Sequence, residues 1–225
     1  MKADLFSGKG EKLGEGKLDK AERKQGHWKF FFSDGKLRSE GNFKNGKREG
    51  KWTFYFKSEN IEQKGNYKNG KPEGFWIWYY DNGNIRRKGN FIKGKEEGIF
   101  FELTEEGDTL TTGKYSYGLK TGKWKTHVND YTETGIYVSG KKEGSWKSYY
   151  QDETLQFEGN YLENYPDGKH IYYYPNGRTK EIRYYSAGQK VKKWKKYTPE
   201  GDLDMLKEYK AGKIYKINGQ KVKDK

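Results

Sequence analysis

The chain has 225 residues, of which 35% are charged and 31% hydrophobic, and its formal net charge is +14. This hydrophobic content is low for an aliphatic core, but 7 Trp, 20 Tyr and 12 Phe residues exclude a disordered chain, because disordered segments are poor in aromatic residues. The absence of cysteine excludes disulfides, zinc fingers and iron–sulfur clusters, and no apolar run approaches the ~18 residues of a membrane span.

Residues 1–25 are predicted to be a degenerate repeat or cap, with Gly16-Lys17-Leu18 as the remnant of a second strand. No hydrophobic region follows Lys2, so this segment is not a signal peptide. It begins abruptly inside a repeat-like stretch, and the compartment therefore stays open. The sequence as given indicates a cytoplasmic protein, whereas a trimmed leader would indicate a secreted or cell-envelope protein.

A pattern of glycines, lysines and aromatic residues recurs along the rest of the chain. GNFKNGKREGKW at 41–52 returns as GNYKNGKPEGFW at 65–76, GNFIKGKEEGIF at 89–100, GKYSYGLKTGKW at 113–124 and GIYVSGKKEGSW at 135–146. Residues 26–215 are therefore predicted to hold eight tandem repeats of 24 residues, one of them shortened to 22, followed by a tail at 216–225. The repeats start at Gly26, Gly50, Gly74, Gly98, Gly122, Gly144, Gly168 and Lys192.

The recurring glycines and lysine also fit G-x-x-x-x-G-K, the frame of a phosphate-binding P-loop. A P-loop needs Ser or Thr next and a helix after it. The residues found there are Arg48, Pro72, Glu96 and Lys142, and strand formers follow. Asn-Gly pairs such as Asn45-Gly46 instead suit a type I′ hairpin turn, because both residues tolerate positive φ. The pattern predicts hairpins and no nucleotide site.

Each repeat is predicted to form two strands joined by a turn such as Asp81-Asn82-Gly83-Asn84. The first strand has a large ring at the third position of the repeat, and the second strand has one two residues after a glycine. The third-position residues are Trp28, Trp52, Trp76, Phe100, Trp124, Trp146, His170 and Trp194. The second-strand residues are Phe43, Tyr67, Phe91, Tyr115, Tyr137, Tyr161, Tyr185 and Tyr209.

These rings are expected to stack into a ladder on one face, each contributing roughly 2–3 kcal/mol on burial. A glycine without a side chain would let a neighbouring ring lie over the backbone. The short repeat at 122–143 lacks two residues near Val128-Asn129-Asp130-Tyr131. Since strand side chains alternate with period two, losing an even number keeps later rings on the same face.

The pattern G-x-W-x-x-Y-Y-x-x-N-G-x-[LI]-x-x-x-G-x-Y-x-x-G-K-x-E-G resembles MORN repeats, in the bacterial variant form of YwqK-family antitoxins. The resemblance covers about residues 26–215. It implies an all-β, elongated, single-layer antiparallel sheet that is not an enzyme and acts in protein or membrane association. Arg183 and Lys207 depart from the pattern by replacing the second-strand glycine. The charged stretch at 205–225 is compatible with a helical cap.

No catalytic, cofactor or metal site is predicted. His27, His127 and His170 lie at unrelated repeat positions and lack metal-ligand spacing. No nucleophile elbow or calcium loop is present. The carboxylates that precede repeat-opening glycines are expected to pair with cross-strand lysines or to face solvent. They are Glu49, Glu73, Glu97 and Glu143.

Three kinds of partner fit this composition. Exposed tyrosines predict protein binding, with a toxin as one partner, unless those rings complete the packing of the second face. They are Tyr149, Tyr150, Tyr172, Tyr173 and Tyr174. Alternatively, lysines on equivalent turns predict a basic edge for an anionic membrane or a surface glycan. They are Lys47, Lys71, Lys95, Lys141 and Lys213.

Nucleic acid is the least favoured partner, because the positive charge is diffuse and the rings recur at positions typical of burial. The lysines also have a simple explanation as solubilising residues of an aromatic-rich surface. The oligomeric state does not follow from the sequence.

Overall fold

The computed structural model describes residues 1–222, in which all regular secondary structure is β-strand. The 21 strands form antiparallel hairpins, and the predicted all-β fold class is confirmed. The chain divides into two compact bodies, an N-terminal body at Met1–Leu119 and a C-terminal body from Lys120 onward.

In the N-terminal body each strand pairs with the next along the chain. The strands are β1 Lys2–Phe6, β2 Lys12–Leu18, β3 Lys24–Phe31, β4 Leu37–Lys44, β5 Lys47–Tyr55, β6 Ile61–Lys68, β7 Lys71–Tyr79, β8 Ile85–Ile92, β9 Lys95–Leu103 and β10 Thr109–Ser116.

The C-terminal body continues the hairpin pattern, except that β16 pairs with both β17 and β18. Its strands are β11 Leu119–Val128, β12 Tyr131–Val138, β13 Lys141–Tyr150, β14 Leu155–Leu162, β15 Tyr165–Tyr173, β16 Thr179–Ser186, β17 Gln189–Lys190, β18 Lys193–Tyr197, β19 Leu203–Lys210, β20 Lys213–Ile217 and β21 Gln220–Lys221.

Two kinds of turn alternate along the chain. Successive repeats are joined by two-residue turns with positive φ at both positions, as at Asn45 (53°) and Gly46 (76°). This is the type I′ geometry that the Asn-Gly pairs predict. Within a repeat the loop is longer, and an Asx side chain closes it: the Asn84 backbone N–H donates to Oδ1 of Asn82 at 2.9 Å.

The core is a layer of rings on one face of each sheet. All third-position side chains are at most 6% exposed. Second-strand rings pack edge-on between them: the ring of Trp52 lies 5.1 Å from Phe43 and 6.0 Å from Tyr67, nearly perpendicular to both. Edge-to-face packing is a preferred arrangement of aromatic side chains, and here it replaces an aliphatic interior.

Glycine lies beneath four of the buried indoles, those of Trp28, Trp52, Trp76 and Trp146. A methyl carbon added at Gly65 would stand 2.2 Å from the Trp76 ring, far inside van der Waals contact. The register of the facing strands shifts beside this glycine, and Nε1 of Trp76 donates to the Asn66 carbonyl at 3.1 Å. The ring therefore contributes apolar contact and also satisfies a backbone acceptor. Gly16 holds the same relation to Trp28, so residues 1–25 carry this part of the repeat.

The shortened repeat keeps the ring register. Its strands β11 and β12 are joined by Asn129 and Asp130 alone, and their pairing has no register shift. Trp124 pairs with Gly135, as Trp52 pairs with Gly65 in a full-length repeat. The two missing residues are thus absorbed in the turn.

The helical cap expected at 205–225 is wrong for the described part of that segment. Met205 lies in β19, and β20 and β21 follow as strands. The reason is pairing: Met205 and Leu206 face Lys196 and Lys195 of β18, so this segment extends the sheet beside Trp194. Residues 223–225 lie outside the described part.

Candidate interaction surfaces

The ring-bearing face is covered partly by cations. Side chains two residues before the repeat-opening glycine reach back over the indoles, at distances suited to cation–π contact. They are Lys24, 5.0 Å from the Trp28 centroid, Arg48, 4.5 Å from Trp52, Lys120, 4.3 Å from Trp124, and Lys142, 4.1 Å from Trp146. Part of the positive charge therefore stabilises the fold.

The carboxylates before the repeat-opening glycines connect neighbouring repeats. Glu73 accepts a hydrogen bond from the backbone N–H of Lys93 at 2.7 Å, in the turn of the next repeat. Glu49 accepts from Asn69, Glu97 from Tyr117 and Glu143 from Glu163 in the same way. The expectation of lysine partners or free solvation is wrong, because a backbone N–H in the turn of the next repeat lies within hydrogen-bonding distance of each carboxylate.

The predicted basic edge forms a row in the N-terminal body. Lys47, Lys71 and Lys95 each pack against the glycine in the turn of the next repeat. A methyl carbon added at that glycine would lie 3.6, 3.4 and 3.7 Å, respectively, from the Cβ atom of the lysine. The three lysines are exposed. In the C-terminal body Lys141 forms an ion pair with Glu163 at 3.2 Å, and the exposed Lys213 begins β20.

The predicted tyrosine surface is half-buried in the structure. Tyr150 and Tyr174 donate their hydroxyl groups to backbone carbonyls of Tyr173 and Tyr197 at 2.8 and 2.7 Å. Burial, followed by the hydrogen bond to Glu158, raises the pKa of Tyr173 to about 12. The structure thus gives these hydroxyl groups intramolecular partners.

The remaining two tyrosines lie on opposite sides of the sheet. Tyr172 packs on Phe157, with ring centroids 4.9 Å apart. Tyr149 is also half-buried, and it faces away from the rings because it alternates with Ser148, which is buried on the ring-bearing face. Of the five predicted tyrosines, none is fully exposed.

The face opposite the rings carries a feature that the sequence analysis missed. Second-position side chains point to this face, and in six repeats they are polar: His27, Lys51, Lys123, Ser145, Lys169 and Lys193. In the repeats that start at Gly74 and Gly98 they are Phe75 and Ile99, which are 54% and 57% exposed. Ile77 and Phe101 follow on the same strands. We call these four residues the outward patch.

Lysines surround the outward patch. Lys88 pairs across the strands with Ile77 and Phe101, and its ammonium group lies 5.3 Å from the Phe101 ring. Lys64 pairs with Ile77 on the other side. A groove of about 360 Å³ runs beside Phe75 and is also lined by Lys51. The sequence signal was the loss of a polar residue at the second position, and it was hidden because FWIWYY reads as ladder residues.

The three histidines stay apart in the structure. His170 is 1% exposed, and its Nε2 lies 2.7 Å from the Asn160 carbonyl, the place that an indole N–H takes in regular repeats. His127 contacts Thr132, and His27 lies near Glu40. Across residues 1–222 no group of three or more His, Asp or Glu side chains is placed to hold a metal ion. The same residues include no helix that would cross a bilayer.

Comparison with known proteins identifies the repeats. Five segments, residues 24–45, 48–69, 72–93, 142–163 and 166–187, match the family model described as MORN repeat variant. The first matched segment takes in β3 and β4, so one repeat corresponds to one such pair of strands. No curated protein matches the chain.

Two solved structures illustrate the structural similarity. The Photorhabdus luminescens Tc holotoxin pore aligns with 93% of this chain at 10% identity and a TM-score of 0.21. The TcdB2-TccC3 crystal structure aligns with 95% at 9% identity and a TM-score of 0.22. The chain spans 13% and 14% of their lengths. At this level the similarity adds nothing to the assignment of function.

Proposed function

From its MORN-variant repeats and the outward patch, we propose that this chain is a non-enzymatic scaffold that binds another protein. The observation that carries the proposal is the exposure of Phe75 and Ile99 at positions that other repeats fill with polar residues. Exposed apolar clusters rimmed by polar residues mark interaction sites. Aromatic residues at the centre of such a cluster supply much of the binding energy.

The partner is proposed to have an acidic surface. Lys51, Lys64 and Lys88 surround the outward patch, and the chain carries a net charge of +14. A positive rim speeds association with a negative surface and selects against basic proteins. Binding is therefore expected to weaken as salt concentration rises.

The test is a comparison of two variants in the cells of origin. Phe75→Lys combined with Ile99→Lys gives the patch the lysines found in other repeats, so it should fold. Leu162→Lys changes an exposed apolar residue of the C-terminal body, outside the patch, and serves as control. We expect an acidic protein to co-purify with the wild type and the control but not with the double variant. An equally retained partner would show that the patch is not the interface.

A narrower form of this proposal is an antitoxin or immunity role, with an acidic toxin as the partner. The net charge of +14 supports it, because it would complement an acidic toxin, although toxins that attack nucleic acids tend to be basic. Co-expression with the product of the neighbouring gene tests it. A neighbour that is neither toxic nor bound by this chain would end the narrower proposal and leave the scaffold in place.

A second candidate function is association with an anionic surface, a membrane or a surface glycan. The row of Lys47, Lys71 and Lys95 favours it, because cations on one edge attract acidic headgroups. Phosphatidylserine vesicles should bind the wild type at low salt and release it at high salt. The triple Lys→Gln variant of this row should lose binding, whereas Phe75→Lys should not. Absence of binding at low salt would contradict membrane association.

A further inference from the structure

A cleft of about 520 Å³ opens on the ring-bearing face of the C-terminal body. It is bounded by Tyr131, Tyr161 and Tyr172, with the nearly buried Phe157 and Ser148 among its lining residues. This volume lies within the range of about 300–1,000 Å³ that is usual for small-molecule sites. We call it the tyrosine cleft.

The tyrosine cleft arises from a local change in the repeat. In the first three repeats the fifth position holds a ring, Phe30, Phe54 or Trp78, opposite a polar residue on the second strand. In the repeat that starts at Gly144 this pair is exchanged, so Ser148 faces Phe157. The repeat before it has Thr126 at the fifth position. The repeat that starts at Gly98 has Glu102 there, so three successive repeats lack the fifth-position ring that the first three repeats have.

Polar groups of both signs line the same cleft. Glu133 forms an ion pair with Lys142, and Glu181 forms one with Arg183 at 2.6 Å. Lys180 adds one further positive charge to the lining. Since each carboxylate has a cationic partner beside it, the cleft offers acceptors and donors with little net charge. This balance does not favour a strongly charged ligand.

The Tyr172 ring is held firmly in this wall. The guanidinium group of Arg183 lies 4.4 Å from its ring centroid, and the Phe157 ring lies 4.9 Å away, tilted by 40°. Burial raises the pKa of Tyr161 to about 12 and also raises the pKa of Tyr172. Both phenol groups therefore stay protonated at neutral pH and can donate hydrogen bonds. The walls therefore combine apolar ring surface with fixed hydrogen-bonding groups, which is the composition of a specific small-molecule site.

We infer that the tyrosine cleft binds a neutral sugar. A pyranose has an apolar C–H face that packs on aromatic rings and a perimeter of hydroxyl groups that donate to carboxylates and accept from phenols and cations. An aromatic side chain of a partner protein would use the rings but leave Glu133 and Glu181 without new partners. This inference is independent of the proposed protein interface, which lies in the N-terminal body.

The test uses cellohexaose, maltohexaose and chitohexaose as probes, with the peptide Gly-Tyr-Gly as the competing ligand. Two-dimensional NMR of the full chain should show saturable shifts within residues 131–183 for at least one hexasaccharide. Glu181→Gln should weaken that binding about tenfold, because a charge-assisted hydrogen bond becomes a neutral one. Glu96→Gln alters another carboxylate–guanidinium ion pair, that with Arg87 in the N-terminal body, and should leave binding unchanged.

A Tyr172→Ala variant is expected to abolish sugar binding, and its folding is checked by circular dichroism because Tyr172 also packs on Phe157. The Phe75→Lys and Ile99→Lys double variant should bind the sugar normally even if it loses its protein partner. Three results would overturn the inference: no shifts with any hexasaccharide, shifts that Glu181→Gln leaves unchanged, or saturable binding of the tripeptide alone.

Discussion

Strand β5 in the N-terminal body and the pair β17 and β18 in the C-terminal body occupy equivalent places in their repeats. β5 runs unbroken over nine residues, Lys47–Tyr55, whereas the later segment is divided into Gln189–Lys190 and Lys193–Tyr197. Two glycines account for the difference. Gly41 lies beneath Trp52 and Gly50 opens the repeat, but Arg183 and Lys192 stand in their places.

The comparison shows what each glycine contributes. Gly41 leaves room for the Trp52 ring, which is 1% exposed, whereas Trp194 beside Arg183 is 6% exposed and lies 5.3 Å from its guanidinium group. Gly50 has a φ of 69°, and Lys192 adopts 58° despite its side chain. The divided strand therefore keeps its ring and its indole hydrogen bond to Tyr184, but with a less regular backbone.

The largest expected effect comes from filling the space beneath a ring. Gly65→Ala places a methyl group 2.2 Å from Trp76, so the ring or the strand must move. We expect a loss of about 3 kcal/mol in the free energy of unfolding, measured by urea denaturation with tryptophan fluorescence. Gly89→Ala is the matched control, because its methyl group would lie 3.6 Å from the smaller ring of Phe100. Equal losses of stability in the two variants would show that the close approach of the Trp76 ring to Gly65 is not the cause.

Removing a carboxylate that connects two repeats should have the next largest effect. Glu73→Ala leaves the backbone N–H of Lys93 without its charged acceptor. Since this N–H is near solvent, we expect destabilisation of about 1–2 kcal/mol. Lys71→Ala, two residues away and exposed, should change stability by less than about 0.5 kcal/mol. Hydrogen exchange at the Lys93 backbone N–H should accelerate in Glu73→Ala only. Unchanged exchange in that variant would show that Glu73 does not protect this N–H.

Restoring a glycine should stabilise the divided strand. Lys192→Gly removes a side chain from a left-handed backbone conformation, and we expect a gain of about 1 kcal/mol. Lys193→Gly, at the next position in β18, should instead lose stability because glycine weakens a strand interior. A loss in both variants would show that Lys192 is not strained.

The smallest expected effect concerns His170, which stands where most repeats have tryptophan. We expect it to leave stability almost unchanged at neutral pH and to lower it only on acidification. Burial, reinforced by the charge of Arg183, lowers the pKa of His170 below its ordinary value of 6.5. Because the folded protein binds the proton more weakly than the unfolded chain, the stability contribution is complete above pH 6.5. It declines as pH falls toward the folded pKa and then levels off.

His170→Trp should remove this pH dependence while keeping the N–H donor to Asn160. Urea denaturation at a series of pH values from neutral to acidic measures it. His27→Gln, at an exposed position, is the control and should leave the dependence intact. A wild-type profile that stays flat below pH 6.5 would contradict the burial of a neutral imidazole.

Much of this fold could be predicted because each repeat carries its own local signals. Asn45-Gly46 specifies a turn, and the even deletion near Asn129 preserves the side-chain faces. The link from Glu73 to Lys93 could not be predicted, since a carboxylate beside a glycine fits several partners equally well. The outward patch was missed because Phe75 and Trp76 both read as ladder residues until strand alternation assigns them to opposite faces.

The remaining candidate site depends on contacts between strands. The exchange of Ser148 and Phe157 is visible in the sequence, but the cleft it opens depends on how Tyr172, Tyr161 and two ion pairs close around it. A deviation from a repeat can be located from the sequence alone. Whether it leaves a space, a strain or a compensated contact depends on the neighbouring strands.

The central claim is that indole rings lie directly over glycines and replace an aliphatic interior. NMR of protein labelled only at glycine measures this, because a proton above an indole is shifted strongly upfield by the ring current. The α-protons of Gly41, Gly65 and Gly135 should be far upfield, those of Gly89 only slightly, and those of the turn residue Gly46 not at all. Ordinary shifts at Gly41, Gly65 and Gly135 would contradict the account.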